Sequence, residues 1–133
     1  MQADIVKVMQ ECTDDSDQER IDFPGVVRKL MQAGVERYHA DLLRGEKIYY
    51  LPSGESHRTP AAPVDATPAA AFSADGVAAA VKAIQQQKIQ YREFCERIAQ
   101  AGCVAYMVSL AGRRAVYYGR TGDSYVELFP KAA

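Results

Sequence analysis

The sequence predicts an α+β fold: two ααββ(β) units whose hairpins join in one antiparallel sheet, with helices packed on one face. Three observations lead there. Residues 21–57 laid over residues 89–125, at a constant offset of 68 and without a gap, match at ten of 37 positions, among them Ala33/Ala101, Gly34/Gly102, Tyr38/Tyr106, Tyr49/Tyr117 and Tyr50/Tyr118. In both copies apolar residues recur at helical spacing up to an Ala-Gly pair and alternate after it. Each alternating run then breaks at a turn containing glycine. Self-similarity at a fixed offset constrains a whole fold, and two copies are too few for a solenoid. The expected organisation is therefore one pseudo-twofold domain, residues 1–133, read as an internal duplication with a repeat unit at 3–58, a linker at 59–71 and a second unit at 72–130.

Taken in order, residues 3–12 and 74–86 carry Ile5, Val6 and Met9, then Val77, Val81 and Ile84, at helical spacing. The acidic stretch TDDSDQERIDF, residues 13–23, reads as an inter-helix loop. It resembles a calcium loop only superficially, because Glu19 stands where the sharp turn needs glycine and Gly25 where the bidentate glutamate belongs. Second helices follow at 23–33 and 91–101, with Pro24 in the first turn, where a missing N–H costs nothing. Gly34 and Gly102 suit the left-handed position that ends a helix. Strands are expected at 35–43, 46–51 and 55–59, and again at 103–111, 114–119 and 124–129. The segment TPAAPVDATPAAA, residues 59–71, holds three of the six prolines and reads as a semi-extended connection outside the core.

If Arg44-Gly45 is a two-residue turn, Tyr38, Ala40, Leu42, Tyr49 and Leu51 share one strand face, matched by Tyr106, Val108, Leu110, Ala115 and Tyr117 in the second unit. These faces are apolar in both copies and should lie under the helices, each tyrosine hydroxyl needing a partner. The opposite faces differ. One carries Val35, Arg37, His39, Asp41, Ile48 and Tyr50, with Tyr50 expected opposite His39; the other carries Cys103, Ala105, Met107, Ser109, Val116 and Tyr118.

That divergence locates the candidate sites. Arg37, His39, Asp41 and Tyr50 could bind an anion or a small polar ligand, or support proton transfer with His39 as base; the same set also reads as a solvated face whose charges pair across strands. Ala105, Met107, Val116 and Tyr118 form an apolar patch suited to burial against a partner, a homodimer or another protein. Other chemistry finds little support. The net charge of −1 lacks the positive field of a nucleic-acid binder. The longest apolar run, residues 68–81, is broken by Asp75-Gly76 and is too short to span a membrane, and the N-terminus lacks a signal-peptide pattern, so a cytoplasmic protein is expected. Three scattered cysteines without a CxxC and two unpaired histidines, His39 and His57, suggest neither disulfides nor a metal site. There is no GxSxG, GxGxxG or GxxxxGK[ST], so no cofactor is expected. Arg44, Lys47, Arg113, Arg114 and Arg120 read as solubilising turn charges, with phosphate contact as the alternative.

The stretches FPGVVRKLMQAGVERYHADLLRGEKIYYLPSGES and AGCVAYMVSLAGRRAVYYGRTGD resemble the small YbcV-like bacterial family, often labelled phage envelope protein, over residues 3–130. The resemblance rests on the pattern AGVxRYxxDL followed by a Tyr-Tyr strand. It implies a prophage-associated domain of unknown function and carries no catalytic residues with it. The function expected from the sequence is thus a non-enzymatic interaction module using the open sheet face, with a ligand-binding protein or small enzyme built on Arg37, His39, Asp41 and Tyr50, or a phage-related modulator of a host protein, as alternatives.

Overall fold

A computed structural model describes residues 1–130 of the chain. Its elements run α1 (Ala3–Asp17), α2 (Phe23–Gln32), β1 (Arg37–Asp41), β2 (Glu46–Tyr50), β3 (Ser56–Pro60), α3 (Ala74–Gln85), α4 (Tyr91–Gln100), β4 (Cys103–Ser109), β5 (Arg114–Gly119) and β6 (Ser124–Leu128). The fold is α+β, and both halves follow the order ααβββ. All six strands form one antiparallel sheet, ordered β3-β2-β1-β4-β5-β6, so the pairing of β1 with β4 joins the halves.

Local chemistry accounts for the helix boundaries. Asp22 caps α2 by accepting from the Gly25 amide at 2.9 Å, and Ser73 caps α3 by accepting from Gly76 at 3.0 Å. Both second helices end at glycines of positive φ, Gly34 at 84° and Gly102 at 93°. At Gly102 a side chain is excluded twice over, since a Cβ there would lie 2.4 Å from the Ala71 carbonyl oxygen.

The first helix is longer than its apolar spacing indicates. Residues 13–17, expected as loop, form its last turn, because Thr13 and Ser16 continue the buried stripe begun by Met9 and Cys12. Thr13 is polar yet fully buried, and its hydroxyl joins those of Tyr49 at 2.7 Å and Thr59 at 2.8 Å. This three-hydroxyl cluster ties α1 to β2 and β3. Thr59 ends the expected third strand, and Pro60, expected in the linker, also belongs to β3. The rest of the connection is stitched down rather than free: Val64 donates to the Leu42 carbonyl, Ala69 to Ala99 and Ser73 to Ala101, while Val64 and Phe72 pack on the core.

Both hairpin turns are four residues long, not two, which moves each register by two. Asp41 is the cause in the first: its Oδ1 accepts from the Leu43 and Arg44 amides, an Asx-type turn that holds residues 42–45 out of the ladder. Ser109 Oγ accepts from Gly112 in the second. A shift of two preserves side-chain parity, so the expected helix-facing set is found buried, Tyr38, Ala40, Leu42, Tyr49, Tyr106, Val108, Leu110, Ala115 and Tyr117, except Leu51, which is half-buried at the edge of the core. Tyr106 pairs its hydroxyl with Tyr91 at 2.8 Å and Tyr117 donates to Glu127 at 2.9 Å.

Replacing Thr13 with Val, which keeps the shape and removes the shared hydroxyl, leaves two buried polar partners less satisfied. Chemical denaturation should show a loss of about 1–3 kcal/mol with an unchanged denaturant slope; no loss would mean that the cluster does not stabilise the α1–sheet contact.

The open sheet face as candidate functional site

Because the helices pack on one side, the other side of the sheet carries side chains with no layer of described residues above them. The register arranges that side into three rows, each crossing all six strands. The first runs Ser56, Tyr50, Arg37, Ser109, Arg114 and Leu128; the middle row runs Arg58, Ile48, His39, Met107, Val116 and Val126; the third runs Pro60, Glu46, Asp41, Ala105, Tyr118 and Ser124. Charge gathers on β1–β3, and apolar side chains on β4–β6. Val126 and Leu128 are exposed to 45% and 64%.

The structure places Arg37, His39, Asp41 and Tyr50 on this face together but does not converge them. Tyr50 lies opposite Arg37 rather than opposite His39, and the guanidinium stacks over its ring at 3.9 Å, a cation–π contact. Arg37 also pairs with Glu36 at 3.2 Å. Asp41 is occupied by its turn. His39 instead meets the other half of the molecule: its Nε2 lies 2.6 Å from the Tyr118 hydroxyl, two strands away. The intervening residue in the Tyr118 row is Ala105, and its small size is what lets Tyr118 reach across β4. Ala105 is consequently buried to 3% exposure beneath its neighbours, whereas Met107, Val116 and Tyr118 remain half-buried. Cys103, expected on this face, lies in the core, because a bulge between Cys103 and Ala105 breaks the alternation of β4. Val35, expected beside it, also lies in the core.

The chemistry of these groups suits recognition better than group transfer. Burial, with the Asp41 carboxylate nearby, raises the Tyr118 pKa, so the phenol stays protonated and is no poised nucleophile. Burial likewise pushes the Cys95 and Cys103 thiols up to about 11 and raises that of Cys12, and all three cysteines are free. No group of three or more His, Cys, Asp or Glu among the described residues is placed to hold a metal ion. A shallow polar cleft runs along α4, lined by Glu19, Arg92, Glu93, Glu96 and Arg97, and another lies among Met1, Ile5, Leu51 and Pro52; neither includes the open-face residues. His57 faces the helices from β3, and its Nε2 is buried with no hydrogen-bond partner among the described residues.

One residue was misjudged outright from the sequence. Lys47 is no solubilising turn charge: it shares the parity of Tyr49, points under the helices and is 4% exposed. Its ammonium lies 4.8 Å from the centre of the Tyr91 ring and 5.9 Å from that of Tyr38. The alternation of β2 carries the signal, since position 47 falls on the core face whenever Tyr49 does. Burial lowers the Lys47 pKa.

A lone ammonium in this site costs more than its two aromatic contacts return, so Lys47→Met should stabilise the fold at neutral pH by about 1–2 kcal/mol. The sign of the pH dependence follows from the lowered folded pKa. Between that value and the unfolded lysine's pKa the unfolded chain holds more protons, so wild-type stability rises with pH relative to the variant. Denaturant titrations should find the advantage of Lys47→Met shrinking toward pH 10; a constant advantage would mean that the amine does not titrate in the fold.

A family model described as "Protein of unknown function (DUF1398)" matches residues 10–127. A search of curated proteins found no match.

Proposed function

We propose, from the premise that this chain belongs to the family described as "Protein of unknown function (DUF1398)", that it is a non-enzymatic protein-interaction module whose binding surface is the open sheet face. The observation that carries this reading is the middle row, where Ile48, Met107, Val116 and Val126 form an apolar stripe across the sheet, interrupted only by His39. Such a stripe, rimmed by Arg37, Asp41, Arg58 and Arg114, has the apolar centre and charged margin of a recognition surface. Two features speak against the small-ligand or enzymatic alternative on the same face. Arg37 and Tyr50 stack on each other while His39 turns to Tyr118 and Asp41 caps its own turn, and the clefts described above lie elsewhere. No helix among the described residues is long and apolar enough to cross a membrane. A host protein bound by a phage-derived module is one identity such a partner could take, in line with the resemblance in the sequence.

A photoreactive phenylalanine analogue at position 116, expressed in the cells that make the protein, should crosslink to a protein on irradiation. The same probe at Lys82, exposed on α3, should not. Equal yields from both positions, or none from either, would count against the open face as the binding surface.

A further inference from the structure

The three rows make the open face complementary to itself. Two face-to-face twofold arrangements of a sheet are available. With the axis along the strands, β1 lies over the partner's β4. Asp41 then faces the partner's Ala105, and Arg58 faces the partner's Val126, so charges rest on apolar groups. With the axis across the strands, along the middle row, each strand lies on its own counterpart and the first row meets the third.

In that second arrangement Arg37 faces the partner's Asp41, and Asp41 faces the partner's Arg37, across a short distance on the central strand. Arg114 faces the partner's Tyr118 in the same way. Along the axis Met107, Val116 and Val126 each meet their own counterparts, giving a dry strip flanked on both sides by the charged and polar pairs. The like-charged Arg58 pair falls on β3 at the sheet edge, where Glu46 already holds the guanidinium at 2.7 Å. Sheets that pack face to face cross at about 30°, a rotation that leaves neighbours near the centre, where Arg37, Asp41 and Met107 lie, in place.

We propose that the partner of the open face is a second copy of this chain, docked face to face about a twofold axis running across the strands along the His39–Met107 row, with Arg37 of each copy set against Asp41 of the other. This rests on the reading of the open face as an interaction surface and adds its occupant. The interface is isologous, as closed dimers require, and the competing arrangement is disfavoured because it sets Asp41 and Arg58 against apolar groups.

Sedimentation of wild type, of Arg37→Asp, of Asp41→Arg and of an equimolar mixture of the two variants tests it. Wild type should dimerise. Each variant alone sets like charges against each other at both contacts and should dissociate with a Kd raised about 100-fold or more. The mixture opposes a carboxylate and a guanidinium at both contacts and should recover a heterodimer. Circular dichroism checks folding, because Asp41→Arg also removes the turn cap. A second measurement is independent of that cap: Met107→Cys, on the axis, should crosslink to itself through a short bismaleimide. Ser109→Cys, off the axis, should not crosslink to itself, against a background of native cysteines that are at most 8% exposed. Folded variants that dimerise like wild type, a mixture that stays monomeric, or self-crosslinking at 109 would overturn the arrangement. A monomeric wild type whose position 116 still crosslinks to a different protein overturns self-docking and leaves the interaction surface standing; a monomer with no crosslink overturns both.

Discussion

The pairing of β1 with β4 is the constraint on which the rest of the structure depends. Each half could form only a three-stranded sheet with two helices. Joined at Arg37–Ser109, His39–Met107 and Asp41–Ala105, they become one six-stranded sheet with a continuous layer of helices beneath it. That same register sets which residues of one half stand beside which of the other, so it determines both the core and the open face. The Tyr118–His39 contact exists because β1 and β5 flank β4 and because β4 offers alanine between them.

Below the sheet, the core holds more polar groups than its apolar residues suggest. Tyr38, Tyr49, Tyr106 and Tyr117 line it, with Tyr91 beside them, and burial raises the pKa of each. Their hydroxyls are bonded to Thr13, to one another or to Glu127 where a partner is in reach. These directional bonds set which side chain meets which, a specificity that aliphatic packing alone supplies less sharply. Lys47 sits among the same rings without an ion pair among the described residues.

Much of this was legible in the sequence. The change of period at each Ala-Gly pair located helices and strands, and parity alone put four tyrosines in the core, since alternation survives any even register shift. What parity cannot supply is register itself. The Asx turn at Asp41 depends on where one carboxylate points, and that detail moved Tyr50 from His39 to Arg37. Thr13 and Ser16 read as loop because polar residues carry no hydrophobic signal, even when three buried hydroxyls satisfy one another. The site was legible only in part. Arg37, His39, Asp41 and Tyr50 share a face as expected, but the partner that engages His39 comes from the other half, through a pairing of distant strands that no local pattern encodes.

The two halves share Tyr38/Tyr106, Leu42/Leu110 and Tyr49/Tyr117 under the helices and diverge on the open side. On the open side the first half presents Arg37, His39 and Asp41, and the second presents Ser109, Met107 and Ala105 at the paired positions. A surface with its charge on one side and its apolar residues on the other is what an isologous contact across the strands can use. The most direct measurement is an isotope-filtered NOE spectrum on a mixture of methyl-labelled and unlabelled protein. Intermolecular contacts from the Met107 and Val116 methyls to open-face protons of the unlabelled copy are the result expected. Contacts only to helix residues, or none at concentrations where the protein is dimeric, would contradict the account.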